Sequence, residues 1–214
     1  MKIKTLLVFI IMVVTVFLIY TFTKDNKIYY VDLGINTNNK SYSYYLKEDI
    51  KKKNKLEKYI NYFNKEDYRT TDLIRNINDN IKIKDKTIQN VLIKADLITV
   101  SIGKNDIYYK LGYTNIDEMY NYVDSILNDI DNLLKLLRKY SKEEIYMIGY
   151  YNNYSITYQE LFDYTNKRVE DLCKTYNINF IDISNLNNDD FNKNILNESG
   201  NKFIYNKIKK DLNY

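Results

Sequence analysis

The stretch Asp96-Leu-Ile-Thr-Val-Ser-Ile-Gly103-Lys104-Asn105-Asp106 holds the strongest structural signal in this chain. Residues 96–102 form an apolar run with little alternation, the pattern of a strand buried on both faces. The run passes directly into Gly-x-Asn-Asp. There a backbone N–H at Gly103 and the amide of Asn105 can both point into one cleft and donate to an oxyanion.

Short apolar runs and helical stripes alternate on both sides of this stretch. Residues 28–33 read as a strand ending at Gly34. Residues 56–63, 145–148 (ending at Gly149) and 178–183 read as further strands. Between them, residues 42–55, 71–81, 87–95, 117–139, 158–176 and 199–212 carry helical spacing. The clearest stripe is Met119, Val123, Ile126, Leu127, Ile130, Leu133, Leu134 and Leu137. Such alternation predicts an α/β domain of three layers, a parallel sheet of five strands with helices on both faces. Right-handed crossovers favour the flavodoxin-like order 2-1-3-4-5, with a ligand site beyond the carboxyl ends of the strands. Gly34, Gly103 and Gly149 fall at that edge, where positive φ or close approach favours glycine.

Composition removes several chemistries. The 214 residues hold 32 Lys+Arg against 28 Asp+Glu, a net charge of +4, too balanced to argue for nucleic acid as a partner. The absence of His excludes a His-based triad, a His general base and a His-ligated metal. A single Cys, Cys173, excludes an intrachain disulfide and a multi-Cys metal site. The glycine-rich nucleotide cradles are absent, and no cofactor or metal is expected. The surplus of Asn, Ile, Lys and Tyr reads as the codon bias of an AT-rich genome.

Residues 6–22 are apolar except for Thr15 and Thr21, with Lys2 and Lys4 before them and Lys24 and Lys27 after. The run is just long enough for a hydrocarbon core of about 30 Å. Its end offers no small-x-small cleavage site, and no Cys follows it. This predicts an uncleaved signal anchor over residues 1–24, a single pass with the basic end in the cytoplasm. The domain at 25–214 then lies on the extracytoplasmic side of the cell membrane. Cleavage would instead release a secreted domain.

Several segments share one resemblance: Tyr29-Tyr-Val-Asp-Leu-Gly34-Ile35-Asn36, Tyr68-Arg-Thr-Thr-Asp-Leu-Ile, Gly103-Lys-Asn105-Asp106, Tyr150-Tyr151-Asn152 and Asn197-Glu-Ser-Gly200-Asn-Lys-Phe-Ile. From residue 28 to the C-terminus the chain resembles the SGNH (GDSL-type) hydrolases, most of all their membrane-anchored or secreted lipase/acylhydrolase branch. The resemblance implies ester hydrolysis, in which a Ser attacks, a His moves the proton and an Asn helps to hold the oxyanion. It places Gly34, Asn36, Asp106 and Asn152 around the ligand cleft, and leaves Gly103 and Asn105 as oxyanion-type remnants. The departures are at the reacting groups. Asn36 stands at the nucleophile position, Ile195 at the base position and Asn192 at the position of its Asp partner. An Asn amide is no nucleophile at neutral pH, and losing triad members costs roughly four to six orders of magnitude in turnover.

The expectation is therefore a catalytically inactive binding or scaffold module at the outer face of the membrane, with an acylated glycan or a lipid as ligand. Two alternatives stand beside it: a weak or rearranged ester hydrolase in which a carboxylate activates water, and an interaction protein sharing only the fold. Other residues offer little chemistry. Ser41 and Ser43 are inert without a base. Cys173 reads as a buried thiol. Asp32, Asp67, Asp106, Asp189 and Asp190 read as carboxylates near strand ends with no fixed pairing. Tyr108, Tyr109, Tyr113, Tyr150, Tyr151 and Tyr154 flank the expected cleft, where aromatic faces stack on sugar rings or acyl chains. Lys51-Lys52-Lys53 reads as a solvated helix end.

Overall fold

A computed structural model describes residues 10–16, 27–35, 40–192 and 195–212. Its elements begin with β1 (Ile28–Gly34), α1 (Tyr42–Lys52), β2 (Leu56–Ile60) and α2 (Thr70–Asn78). A small hairpin of β3 (Lys82–Ile83) and β4 (Lys86–Thr87) leads into α3 (Ile88–Lys94), β5 (Leu97–Ser101), α4 (Lys104–Lys110) and α5 (Ile116–Tyr140). The chain continues through β6 (Glu144–Ile148), α6 (Gln159–Thr175) and β7 (Asn179–Ile181). A second hairpin, β8 (Phe191–Asn192) and β9 (Ile195–Leu196), precedes α7 (Glu198–Asp211).

The main sheet has five strands in the order β2-β1-β5-β6-β7, all parallel. Counted along the chain, that is the expected 2-1-3-4-5 arrangement. Period-two alternation along β1 sends Tyr30 to one face and Tyr29, Val31 and Leu33 to the other. Tyr30 joins Leu46 and Ile50 of α1 and Ile204 and Ile208 of α7 in one buried cluster. The opposite residues join Leu73, Leu92, Leu134 and Val169 of α2, α3, α5 and α6 in the larger cluster. The whole predicted stripe of α5 is buried there. Asn115 caps that helix, its side-chain oxygen accepting from the Glu118 N–H at 2.9 Å.

One boundary changes. The second strand stops at Ile60 rather than residue 63, because the chain turns at 61–64, where the Asn64 N–H donates to the Asn61 carbonyl at 3.2 Å. Among the described residues, no helix is long and apolar enough to cross a membrane. The apolar run at 6–22 is described only over 10–16, a helical stretch in which Met12 is 61% and Val16 62% exposed. The rest of the expected anchor lies outside the described residues.

Candidate functional site

Two glycines build the carboxyl edge of the sheet. Gly34 ends β1 with φ +113°, and a Cβ there would lie 2.0 Å from the Ser101 carbonyl oxygen. The next residue uses that same carbonyl, Ile35 N–H donating to it at 2.8 Å. Gly103 turns β5 into α4 with φ +94°, and its bare Cα faces Tyr150, whose Oη would be 2.3 Å from a Cβ. Over this edge, at the carboxyl ends of β1, β5 and β6, opens a pocket of about 600 Å³. Ile35, Ile102 and Ile148 give it apolar surface, and Asp32, Ser41, Ser43, Lys104, Asn105 and Tyr151 give it polar surface.

Asp32 is the pocket's most unusual residue. It sits inside an apolar strand and is buried. Its Oδ1 accepts from Thr99 Oγ1 at 2.7 Å and from Tyr42 Oη at 3.1 Å, and its Oδ2 accepts from Asn64 Nδ2 at 3.0 Å. Because the Thr99 proton goes to Asp32, the 2.9 Å contact of Thr99 with Tyr30 has Tyr30 as donor. Burial pushes the Asp32 carboxyl up to about 6, and hydrogen bonds from Thr99, Ser43, Tyr42 and Asn64 hold it from rising further. All of those partners are neutral. Beside this carboxyl, Tyr59 Oη donates to Ser43 Oγ at 3.0 Å, and Ser43 lies 2.9 Å from Ser41 Oγ.

Lys104 supplies a cation. It is half-buried, its ammonium donates to Tyr151 Oη, and it lies 4.4 Å from the centre of the Tyr151 ring. Burial pulls its pKa down to about 8.

Asn105 lines the pocket, but its amide points elsewhere. Nδ2 donates to the carbonyls of Glu66 and Tyr68, each at 2.9 Å. Both N–H groups are thereby used, and the side chain ties the segment after β2 to the start of α4. Ile195 also lines the pocket, from β9, and is 42% exposed.

Other expected cleft residues lie off the pocket wall. Asp106 is buried and accepts from the Thr70 N–H and Oγ1, each at 3.0 Å, which turns its carboxyl towards α2. Burial raises its pKa. Asn152 folds over its own loop, donating to the Ser155 carbonyl at 2.7 Å and accepting from the Tyr154 and Ser155 N–H groups. Gly34 and Gly103 shape the edge without lining the pocket. Asn36 lies outside the described residues. Of the tyrosine clusters, Tyr150 and Tyr151 line the pocket, whereas Tyr109, Tyr113 and Tyr154 are exposed away from it.

Cys173 is fully buried, and its thiol is pushed up to about 12, out of nucleophile range. Among the described residues, no group of three or more His, Cys, Asp or Glu is placed to hold a metal ion.

Reading the sequence left Asp32 among the strand-end carboxylates without a pairing and did not single out Lys104. A carboxylate inside an otherwise apolar strand was the available signal for the first. For the second, the signal was a lysine inside the Gly-x-Asn-Asp turn.

Solved structures with this architecture place the fold. The acetylxylan esterase Axe2 from Geobacillus stearothermophilus superposes with a TM-score of 0.66 at 13% identity, over 86% of this chain and 94% of that one. The lipase Lip_vut3 from a goat rumen metagenome gives 0.70 at 14% identity, over 85% and 95%. The fold is that of the SGNH-type esterases and lipases. At such identities the likeness extends to the fold alone. No family model and no curated protein sequence matches the chain.

Proposed function

We propose that this chain is a binding module built on the SGNH hydrolase fold, anchored at the outer face of the membrane and without hydrolytic activity. The observation that carries the reading is Asn105. In a working site of this kind its amide would aim at the oxyanion, whereas here both N–H groups bind backbone carbonyls. The absence of any His, with Ile195 at the base position and Asn36 at the nucleophile position, supports the same reading. The pocket itself remains open, with hydroxyl, amide and ammonium groups beside isoleucine surface. That mixture suits an acylated glycan or a lipid headgroup with part of its acyl chain. The anchor is supported by the apolar run at 6–22 and by the exposed apolar side chains of its described portion.

A second reading, a rearranged esterase, is favoured by one contact set: Ser41, Ser43 and Asp32 form a hydroxyl chain ending on a carboxyl whose pKa is about 6. Ser43 is 1% exposed, so Ser41 would have to be the nucleophile. Hydrolysis of 4-nitrophenyl acetate by the detergent-solubilised full chain separates the two. The binding module gives no rate above buffer. A rate that disappears in Ser41→Ala would establish the esterase.

A further inference from the structure

The parallel strands all begin at one edge of the sheet, opposite the pocket. Each helix that returns the chain from one parallel strand to the next ends at that amino edge. The last turns of these helices carry Lys51 and Lys52 on α1, Lys94 on α3, Lys139 on α5 and Lys174 on α6, the last paired with Glu170 and Asp171; α7, after the final strand, adds Lys210. Helix dipoles favour a cation in the last turn of a helix. They do not account for Lys27, Lys55 and Lys142, which lie in the connections at the same edge. Lys27 and Lys55 sit together: the Ile28 N–H donates to the Lys55 carbonyl at 2.6 Å, and Lys27 Nζ donates to the Asn54 carbonyl at 2.9 Å.

Carboxylates share this edge, among them the exposed Glu57, Glu143, Glu144 and Asp211, and several are engaged locally. Asp49 meets Lys53 and Lys209, Asp96 accepts from the Tyr29 N–H, and Glu144 accepts from Asn179. Arg138 is not part of the surface, because its guanidinium is spent on the carbonyls of Ser141, Glu143, Tyr176 and Asn177. Beside Lys94 one large apolar side chain stands out, Ile93, 61% exposed.

The chain also enters the domain here. Residues 23–27 are all that separates the apolar run at 6–22 from β1, whose first residue lies at this edge. We infer that the amino edge rests against the anionic headgroups of a lipid bilayer, which turns the pocket away from the membrane. The inference rests on the anchor of the reading above. Clustered lysines are attracted to anionic headgroups within about a Debye length, here those of the outer leaflet. β1 alone, seven residues long, then holds the pocket about 23 Å above the surface-facing edge. Of the two ligand classes the pocket suits, this orientation selects the glycan, since lipid lies at the other end of the domain.

The test uses the full chain reconstituted in vesicles containing a nitroxide-quencher lipid. An environment-sensitive fluorophore is placed at Lys142→Cys on the amino edge or at Tyr113→Cys, whose native side chain is 86% exposed beyond β5 and α4. Buried Cys173 takes no label. In vesicles of phosphatidylcholine with phosphatidylglycerol at low salt, the amino-edge reporter is quenched several-fold more than the other. The contrast shrinks in pure phosphatidylcholine, at high salt, and in Lys51→Glu/Lys52→Glu. Equal quenching at both sites, or a contrast indifferent to lipid charge and salt, overturns the inference. Flotation at high salt reads the anchor separately. A chain that leaves the vesicles there has no anchor, and the low-salt contrast still decides whether the edge meets anionic lipid.

Discussion

Replacing Asp32 by Asn should stabilise this domain at neutral pH and do little in acid. The Asp32 carboxyl is buried among neutral donors, and its pKa rises from 3.8 to about 6. Below the lower value the group is protonated in both folded and unfolded chains and costs nothing. Between about 3.8 and 6 the unfolded carboxyl ionises while the folded one stays protonated, so the penalty grows through that window and is level above it. By pH 7.5 or so this costs about 3 kcal/mol relative to the unfolded chain. Stability from this group is therefore present in acid and lost as pH rises. The amide variant keeps an oxygen for Thr99 and Tyr42. Its new N–H would face Asn64 Nδ2, but the Asn64 Oδ1 is buried without a partner among the described residues, so turning that amide over restores the bond. Thermal unfolding of Asp32→Asn and the parent chain across about pH 4 to 8 measures the effect. Because other carboxylates cancel in the comparison, the difference in melting temperature should grow from near zero in acid to roughly 6–12 °C at the upper end. A difference that stays constant with pH, or a variant that is less stable at pH 8, would refute the reasoning.

Three further outcomes follow from single contacts. Asn105→Ala removes two hydrogen bonds between the Gly-x-Asn-Asp turn and the segment at 66–68, and should cost about 2 kcal/mol in urea unfolding. Asn105→Asp, acceptor-only against two carbonyls, should cost more, and unchanged stability in both would show that the amide points elsewhere. Tyr150 Oη is buried without a hydrogen-bond partner among the described residues, so Tyr150→Phe should be neutral or stabilising by about 1 kcal/mol. Gly103→Ala should cost about 3 kcal/mol from its positive φ and the clash with that hydroxyl, and less in a Tyr150→Phe background; additive effects would contradict the packing. The lowered pKa of Lys104 predicts that its acylation, followed by mass spectrometry, reaches half its maximal rate near pH 8. A pH profile like that of the exposed lysines would remove Lys104 from the pocket wall.

The fold was legible where burial is one-sided or complete. Residues 96–102 showed no alternation because β5 is covered on both faces. The stripe of α5 repeated long enough to define its period. Parallel strands and right-handed crossovers then left one simple order. The seven-residue α4 was not legible, since it begins inside the Gly-x-Asn-Asp signal and is too short for a stripe. The hairpin of β3 and β4 turns through Lys84 and Asp85 at φ 47° and 63°, with neither Asn nor Gly to mark it.

At the site, Gly34 and Gly103 could be placed because a strand end needing positive φ leaves few residue choices. The direction of a polar side chain could not be read in this way. Asp106 turns to Thr70, Asn105 to Glu66 and Tyr68, and Asn152 to its own loop, each set by a backbone group that only the packed chain brings close. Asp32 acquires its partners from Thr99, on the neighbouring strand, and from Tyr42 and Asn64, so its role exists only after the sheet and α1 have assembled.

The most direct test of the binding-module reading is one titration of the full chain with an O-acetylated oligosaccharide, following tyrosine fluorescence and free acetate together. The account predicts a saturable fluorescence change with acetate release no faster than in buffer. Acetate released in proportion to protein concentration would contradict it and would make this pocket a working esterase site.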